Sequence, residues 1–562
     1  MAITFLFCLL GGRYLYVQVI WQEELVTRAL DQWTREIPIV AKRGHIVDRN
    51  GVTLAENDSY YTVFARSNAV RDEEKTASAL AEALGVDRER IFNKLTSVKA
   101  SEVTVARKVS KQSIEKLVQS SLDGVYYSRD NFRVYPKGNA LSQVIGFTSS
   151  DNTGTTGIEK YYDEYLKGTD GELLHETDLV GIELEGSVAA YREAEDGYNV
   201  RLTVDYGIQE IVESALVRVS ETYSPTSAEC IVLDPNTFEV LAMANYPSYD
   251  LNEIPRDDIQ TLNALSRNRI VCDIYEPGST FKVITAAANI EEALQGNPKA
   301  FKENYVFPSS RTRSVDGTTV KCWSNHANGK HTNQRLAEAL NNSCNPCFTD
   351  IALSLGKEKF YEYLSAFGFG KRTGLDFSGE AYGLLLAESA VRGCDLARIG
   401  FGQTIAVSGI QLACATAAAI NGGYYYQPRL VKEIYADDGY VLKKLQSVLK
   451  NRTISEEASR KLATMLEGVV RDGSGKKAYI EGYAVGGKTG TAQKFENGRI
   501  AVGKYVSSFV GFFPASSPKY LALVIVDEPQ GAYYGSVVAA PVAKEIFEGI
   551  ISLKNIPPIG AE

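Results

Sequence analysis

Glu276-Pro277-Gly278-Ser279-Thr280-Phe281-Lys282 runs directly into the alanine-rich apolar stretch Val283 to Ile290. Proline suits the first turn of a helix, and glycine lets a ligand come close to the backbone. The break therefore predicts a helix start. Ser279 and Lys282 are three residues apart, so on a helix they share one face, and the lysine amine can take the proton of the serine hydroxyl. That is the geometry of an activated nucleophile. The spacing is unspecific by itself, because it recurs at Ser113/Lys116, beside the amphipathic run Ile114 to Val118, and at Ser474/Lys477, in the loop that begins Asp472-Gly473. Both of these read as surface coincidences.

Two later segments sharpen the reading. Ser343-Cys344-Asn345 lies in a polar cluster that closes the helical run Gln334 to Leu340, and Lys488-Thr489-Gly490-Thr491 follows Gly486-Gly487 on an expected strand. Serine-x-x-lysine, serine-x-asparagine and lysine-threonine-glycine, in that order and far apart, form the triple motif of the penicillin-recognising serine acyl-transferases.

With 562 residues the chain exceeds one ordinary core, so two domains with attachments are expected. A formal charge of -9, without long basic runs, argues against a nucleic-acid partner. The chain has four histidines and neither an HExxH run nor paired Cys-x-x-Cys spacings, so metal-dependent hydrolysis is not indicated. At the start, Ile3 to Leu10 is apolar but reaches Gly11-Gly12-Arg13 after about ten residues, where a bilayer span takes roughly 20. The stretch reads as the outer part of a single-pass anchor whose beginning is missing, with Arg13 to Tyr16 at the headgroups. A loose apolar leader is the alternative.

Beyond it, Trp21 to Thr34 reads as a polar helical stalk, and Ala41 to Ala55 as two strands about an Asn50-Gly51 turn. Arg43, Asp48 and Arg49 read as a structural salt-bridge network. Helical periodicity marks Glu73 to Leu84, Asp87 to Leu95 and Lys111 to Gln119, and a strand is expected at Val103 to Ala106. Past Gly168 the chain is charge- and glycine-rich as far as Gly197. This first third shows no catalytic constellation and reads as a pedestal for spacing and partner contact. Asp205 is placed to cap a helix from Tyr206 to Val219, and Cys230 to Leu233 with Val240 to Ala244 form a buried hairpin. Helices dominate from Phe281 to about Ala419. Strands return at Val506 to Phe513 and Leu521 to Val526, before a closing helix from Ala540 to Ile550. The fold class is therefore α+β, an antiparallel sheet meeting a helical subdomain, with the acyl-transfer site at the seam.

Along nearly its whole length the chain resembles the class B, monofunctional penicillin-binding proteins. The resemblance rests on Arg43-Gly44-x-Ile46-x-Asp48-Arg49-Asn50-Gly51, on Gly157-Ile158-Glu159 and on the three motifs above. Lys321-Cys322-Trp323 and Ser343-Cys344-Asn345-Pro346 are similar to the Gram-positive division and sporulation members, the stage V sporulation protein D type especially. The chain stops at Glu562 without the C-terminal repeat modules that many of those relatives carry, which leaves sporulation, septal and elongation duty open. The resemblance implies a partial anchor at 1–21, a pedestal of dimerisation type at 22–200, a transpeptidase domain at 201–553 and a tail at 554–562. It also implies a D,D-transpeptidase of the cell membrane, with its bulk outside the cytoplasm, acting on peptidoglycan stem peptides. Such an enzyme is trapped by β-lactams and works beside a membrane-embedded glycan polymerase and division or sporulation proteins. Ser279 would be the nucleophile, Lys282 its base, Ser343 a proton relay and Asn345 a substrate contact. Lys488, Thr489, Gly490 and Thr491 would hold the terminal carboxylate, with backbone N–H groups of Ser279 and Thr491 as oxyanion hole.

Rival readings remain at this level. A β-lactamase or β-lactam sensor shares the three motifs, and a non-enzymatic division scaffold would use the pedestal alone. Gly482 to Thr489 also satisfies the phosphate-loop pattern, with Leu521 to Asp527 mimicking a magnesium-holding strand, as in a nucleotide hydrolase. Extracytoplasmic thiols can pair, and a Cys322–Cys344 bridge would pull on Ser343 and Asn345 as a redox brake; inert buried thiols are the plain alternative. Zinc binding by Cys322, His326, His331 and Cys344 is a further alternative, but their spacing matches no standard site, and neither a metal nor a cofactor is assigned. Cys230, Cys394 and Cys414 are expected in the core.

Overall fold

The computed structural model describes residues 2–22, 24–25, 34–97, 103–120, 122–177, 183–324, 326, 331–496 and 499–559. The chain divides into two units, one made of Met1–Gly44, Glu56–Arg133 and Glu164–Tyr198, the other of His45–Ala55, Val134–Asp163 and Asn199–Glu562.

In the first unit, helices Glu73–Leu84, Arg88–Ser97 and Lys111–Ser120 close over strand Val103–Val109, which pairs with Tyr61 to Ala65. Their shared faces bury Val63, Ala77, Leu80, Ile91, Leu95, Val105, Ile114 and Leu117. The first helix begins where the Asp72 carboxylate accepts the Lys75 N–H at 2.9 Å, and it stops at Gly85, whose φ of 66° suits glycine. The charge-rich stretch after Gly168 folds into strands Gly171–Thr177 and Glu183–Arg192, which form an antiparallel sheet with Thr34–Ile39. Apolar residues of the N-terminal helix Ala2–Val19, Phe5, Leu6, Phe7, Leu9 and Leu10 among them, are exposed; no described helix is long and apolar enough to cross a membrane. Most of the expected stalk, at 23 and 26–33, lies outside the described residues.

The second unit is built on five antiparallel strands: β1 Ser227–Leu233, β2 Val240–Tyr246, β3 Gly486–Glu496, β4 Arg499–Phe513 and β5 Tyr520–Asp527, in the order β2-β1-β5-β4-β3. Its principal helices are α1 Tyr206–Tyr223, α2 Lys282–Leu294, α3 Leu336–Asn341, α4 Asn345–Leu355, α5 Gly409–Ile420, α6 Glu456–Arg471 and α7 Gly535–Lys554. Helices α1 and α7 cover one face of the sheet, packing Val212, Leu216, Val542 and Phe547 on Cys230, Val232, Val524 and Phe509. The other face is buried too, so β1 and β5 read as continuous apolar runs and not as alternating ones. Helix α2 is buried from Lys282 to Glu292 and packs against α4, α5 and α6. Its start is the centre of the helical subdomain, and the fold is α+β as expected.

The Asn50-Gly51 turn forms between Ile46–Val47 and the strand beginning at Thr53, with Gly51 at φ 92°. Arg49 pairs with Glu239 at 3.0 Å, and Glu239 with Arg429 at 2.6 Å. Asp48 works differently from the expected ion pair. One carboxylate oxygen accepts the N–H groups of Asn50 and Val52 at 2.7 and 2.8 Å, and the other accepts the N–H of Tyr206, the first residue of α1, at 3.0 Å. Arg43 is buried and belongs to the first unit. Charge-assisted bonds to backbone N–H groups are the stronger class, so Asp48→Ala should destabilise the fold by about 2–3 kcal/mol. Chemical denaturation of the two proteins measures this, with Asp48→Asn expected between them.

Candidate active site

Three segments of the second unit converge on one amine. Gly278–Phe281 forms a tight 3-10 turn, and α2 starts only at Lys282, so Ser279 sits one turn ahead of the regular helix where the sequence had placed it inside. The turn is fixed from outside. Gly278 has φ 55°, its N–H donates to the Gly402 carbonyl at 2.9 Å, and the Thr280 hydroxyl donates to the Pro277 carbonyl at 2.7 Å. Fully buried Phe281 packs on Phe369, with ring centres 5.0 Å apart.

Lys282 is fully buried. Its Nζ lies within hydrogen-bond distance of four oxygens, Ser279 Oγ at 3.0 Å, the Ser343 carbonyl at 2.8 Å, Ser343 Oγ at 3.2 Å and Asn345 Oδ1 at 2.7 Å. Lys488, also fully buried, reaches the same Ser343 hydroxyl from the other side at 3.0 Å, and its own strand neighbour's carbonyl, Thr489 O, at 3.2 Å. Burial pushes the Lys282 amine down to about 8. The Lys488 amine is pushed well below its ordinary range by burial and then by the charge of Lys282. Two lysines on one hydroxyl cannot both stay charged in such a place. Lys282, with the larger set of acceptors, is the better holder of the remaining proton.

Ser343 lies in the α3–α4 connection with φ 53°, a left-handed backbone that a serine adopts only when its surroundings impose it. Asn345 begins α4; its Oδ1 faces Lys282 at 2.7 Å and one Nδ2 proton goes to the Lys321 carbonyl at 3.1 Å, which leaves the second N–H of the amide for a further partner. Lys488, Thr489, Gly490 and Thr491 lie on β3, paired residue by residue with Val510, Phe509, Ser508 and Ser507 of β4. A β carbon on Gly490 would lie 2.4 Å from Ser508 Oγ and 2.9 Å from the Pro277 carbonyl, so only glycine lets the serine turn rest on the strand. Thr491 Oγ1 accepts the Gly535 N–H at 3.0 Å, which leaves its hydroxyl proton available.

The structure thus brings Ser279, Lys282, Ser343, Asn345, Lys488, Thr489, Gly490 and Thr491 together. It also brings in Ser474, which the sequence had dismissed. Thr489 Oγ1 lies 3.3 Å from Ser474 Oγ, and the Ser474 N–H donates to the Asn341 carbonyl. No local sequence signal marks this contact; Gly473 allows the close approach, since a β carbon there would come within 2.8 Å of the Asn341 backbone. Ser113, by contrast, lies half-buried on Lys111–Ser120, where its hydroxyl meets that of Ser110 at 3.2 Å. Cys322 and Cys344 are buried free thiols with sulfurs 3.9 Å apart, grouped with His326 and His331 behind the second motif. Cys230, Cys394 and Cys414 are buried.

The phosphate-loop reading fails on this geometry. After Lys488-Thr489 the chain continues as strand to Glu496, with no helix N-terminus to meet a phosphate, and Lys488 is buried against Ser343. Asp527, the supposed magnesium ligand, is paired with Lys494 at 2.8 Å.

Comparison with known proteins agrees. Residues 229–548 match the penicillin binding protein transpeptidase domain, and residues 38–202 the penicillin-binding protein dimerisation domain. The chain is 37% identical over 560 residues to Stage V sporulation protein D of Bacillus subtilis strain 168, covering 99% of this chain and 84% of that one. It is 29% identical over 555 residues to Peptidoglycan D,D-transpeptidase FtsI of Escherichia coli K12, covering 97% and 90%. Penicillin binding protein 3 of Mycobacterium tuberculosis, solved with aztreonam, aligns with a TM-score of 0.71 at 25% identity over 93% of this chain and 98% of that one.

Gly490→Ala tests the packing of turn on strand. A forced displacement of about 1 Å at a reacting group costs on the order of 100-fold in rate, so the second-order rate of labelling by a fluorescent penicillin should fall by about that factor. Circular dichroism of the variant checks that the fold persists.

Proposed function

The chain belongs to the class B penicillin-binding proteins and is a peptidoglycan D,D-transpeptidase, and from that premise we propose that Ser279 is its acylated residue and Lys282 the base that activates it. Carrying this reading is the shared position of Lys282 Nζ, 3.0 Å from Ser279 Oγ and 3.2 Å from Ser343 Oγ, with Lys488 on the far side of Ser343. In its neutral form Lys282 takes the Ser279 proton as Oγ attacks the carbonyl of the penultimate D-alanine of a stem peptide. Ser343 passes a proton to the departing D-alanine amine. An amine of a neighbouring stem then attacks the ester, closing the cross-link and freeing Ser279. Lys488 supplies the positive charge for the donor's terminal carboxylate, with the Thr489 and Thr491 hydroxyls donating to it. The N–H groups of Ser279 and Thr491 receive the oxyanion, a device worth about 3–4 kcal/mol per donor in serine hydrolases.

The same reading places the enzyme at the cell membrane, attached through the exposed apolar residues of Ala2–Val19, with residues 22–200 as pedestal and 201–553 as catalytic domain. Its duty is septal or spore-cortex wall synthesis beside a membrane-embedded glycan polymerase.

Acylation on this scheme needs Lys282 uncharged. Since the folded amine titrates near pH 8, the rate of penicillin labelling should climb about tenfold per pH unit below that value and level off above it. Lys282→Arg, whose guanidinium does not deprotonate, should be inactive at every pH. Mass mapping of the penicillin adduct should place it on the peptide containing Ser279 and lose it in Ser279→Ala. An adduct elsewhere, or a flat profile between about pH 6 and pH 9, would refute the assignment.

A further inference from the structure

We propose that Cys322, His326, His331 and Cys344 bind a zinc ion, and that this ion clamps the loop carrying Ser343 and Asn345 in its catalytic shape. The site lies beside the transpeptidase machinery, and its existence does not depend on the roles given to Ser279 and Lys282.

The four donor atoms lie within 4.8 Å of one another. Around a tetrahedral zinc with Zn–S of about 2.3 Å and Zn–N of about 2.0–2.1 Å, two sulfurs stand about 3.8 Å apart and a sulfur and a nitrogen about 3.6 Å. Here Cys322 Sγ and Cys344 Sγ are 3.9 Å apart, Cys322 Sγ and His331 Nδ1 3.6 Å, and Cys344 Sγ and His326 Nε2 3.9 Å. Those are the edges of a tetrahedron of zinc ligands. Cys322, Cys344 and His331 are buried, with 3%, 1% and 5% exposure. Two thiolates and two neutral imidazoles balance the charge of a divalent ion and form a donor set that favours zinc.

A second observation concerns orientation. His326 Nδ1 is 2.8 Å from the Ser309 carbonyl, which can only accept, so this nitrogen carries the proton. The lone pair is then on Nε2, aimed at Cys344. A backbone carbonyl fixing the tautomer of an imidazole in this manner is the usual outer support of a metal-bound histidine. His326, His331 and Asn333 all hold left-handed backbones, at φ 55°, 60° and 51°, as does Ser343 at 53°. Such backbones persist where something over-determines them. The pattern Cys-x3-His-x4-His-x12-Cys matches no familiar zinc spacing, yet the fold brings its four donor atoms together.

The consequence for the reaction is mechanical. Cys344 stands between Ser343 and Asn345, whose side chains both reach Lys282. Asn345 Nδ2 is tied to the Lys321 carbonyl, immediately before Cys322. An ion bridging Cys322 and Cys344 therefore ties the motif to the Lys321-Cys322 segment by a second, stronger link. It also excludes a Cys322–Cys344 disulfide for as long as it is bound, since the same sulfurs cannot serve both bonds.

The full chain, purified without chelator, should contain an equimolar amount of zinc by elemental mass spectrometry. Cobalt exchange should give the visible absorption of a tetrahedral thiolate–imidazole site. Cys344→Ser and His326→Ala should each lose the metal, whereas Cys272→Ser, which changes a thiol outside the cluster, should keep it. Stripping zinc from the wild type should slow penicillin labelling by about tenfold, and adding zinc should restore it. Zinc no higher than in the buffer, zinc retained in Cys344→Ser, or a Cys322–Cys344 disulfide in the freshly purified protein would overturn the site. Unchanged labelling after complete zinc removal would overturn the clamp. Wild-type zinc content reads the site even if Ser279 proved not to be acylated.

Discussion

Two lysine side chains buried around one serine hydroxyl are the constraint on which the rest of the second unit depends. Moving an ammonium ion into a protein interior costs several kcal/mol even after relaxation, and a second like charge beside it adds repulsion. Ser343 Oγ, 3.2 Å from one amine and 3.0 Å from the other, offers each a hydrogen bond without forcing either to carry a charge. The arrangement holds only if three elements distant in sequence arrive together: the start of α2, the α3–α4 connection and strand β3. Much of the surrounding fold serves that meeting. Helix α2 is enclosed by α4, α5 and α6, so the position of Lys282 is set by packing on all sides and not by its own side-chain preference.

Close approach is achieved by leaving atoms out. Gly490 admits the serine turn, Gly402 admits Gly278, and Gly535 admits the Gly490 carbonyl, where an added β carbon would fall 2.1 Å from that oxygen. None of these contacts carries much energy individually. Together they set the distance between a nucleophile on one element and a cation on another. Strand β3 is moreover the last in the sheet order, so its outer backbone edge can receive an extended peptide as an added strand. A glycine-lined turn beside an open sheet edge is suited to a peptide substrate whose reacting carbonyl must be held against both.

The chemistry-bearing residues were legible in the sequence because each motif carries its own local geometry. Ser279 and Lys282 are set by helical spacing, and Lys488 to Thr491 by a strand whose side chains alternate. The junction turn at Asn50-Gly51 was legible for the same reason. Contacts made across the fold were not. Ser474 meets Thr489 only because α6 ends against Asn341, and nothing in Asp472-Gly473-Ser474-Gly475 names that neighbour. Asp48 looked like half of an ion pair, yet it takes backbone donors from its own turn and from α1, a choice that depends on where Tyr206 lies. The cysteine–histidine quartet was nameable from the sequence but not assignable, because its spacing is irregular and the convergence of its four donor atoms is a property of the fold.

The sharing of one proton also bears on substrate choice. On the proposed scheme the donor's carboxylate arrives beside Lys488, the lysine with fewer acceptors and the more depressed amine. An anion there raises the proton affinity of Lys488 and makes a charged Lys282 still less favourable across Ser343. Titrations of interacting groups belong to the pair, so what binds at one lysine moves the proton of the other. The peptide that brings a terminal carboxylate thereby helps to create the neutral base needed to attack it. An amide-capped or truncated stem, lacking that charge, would meet Ser279 with its base still protonated. Selectivity for a free carboxyl end thus resides in the protonation state of Lys282 as much as in any contact made by the carboxylate itself.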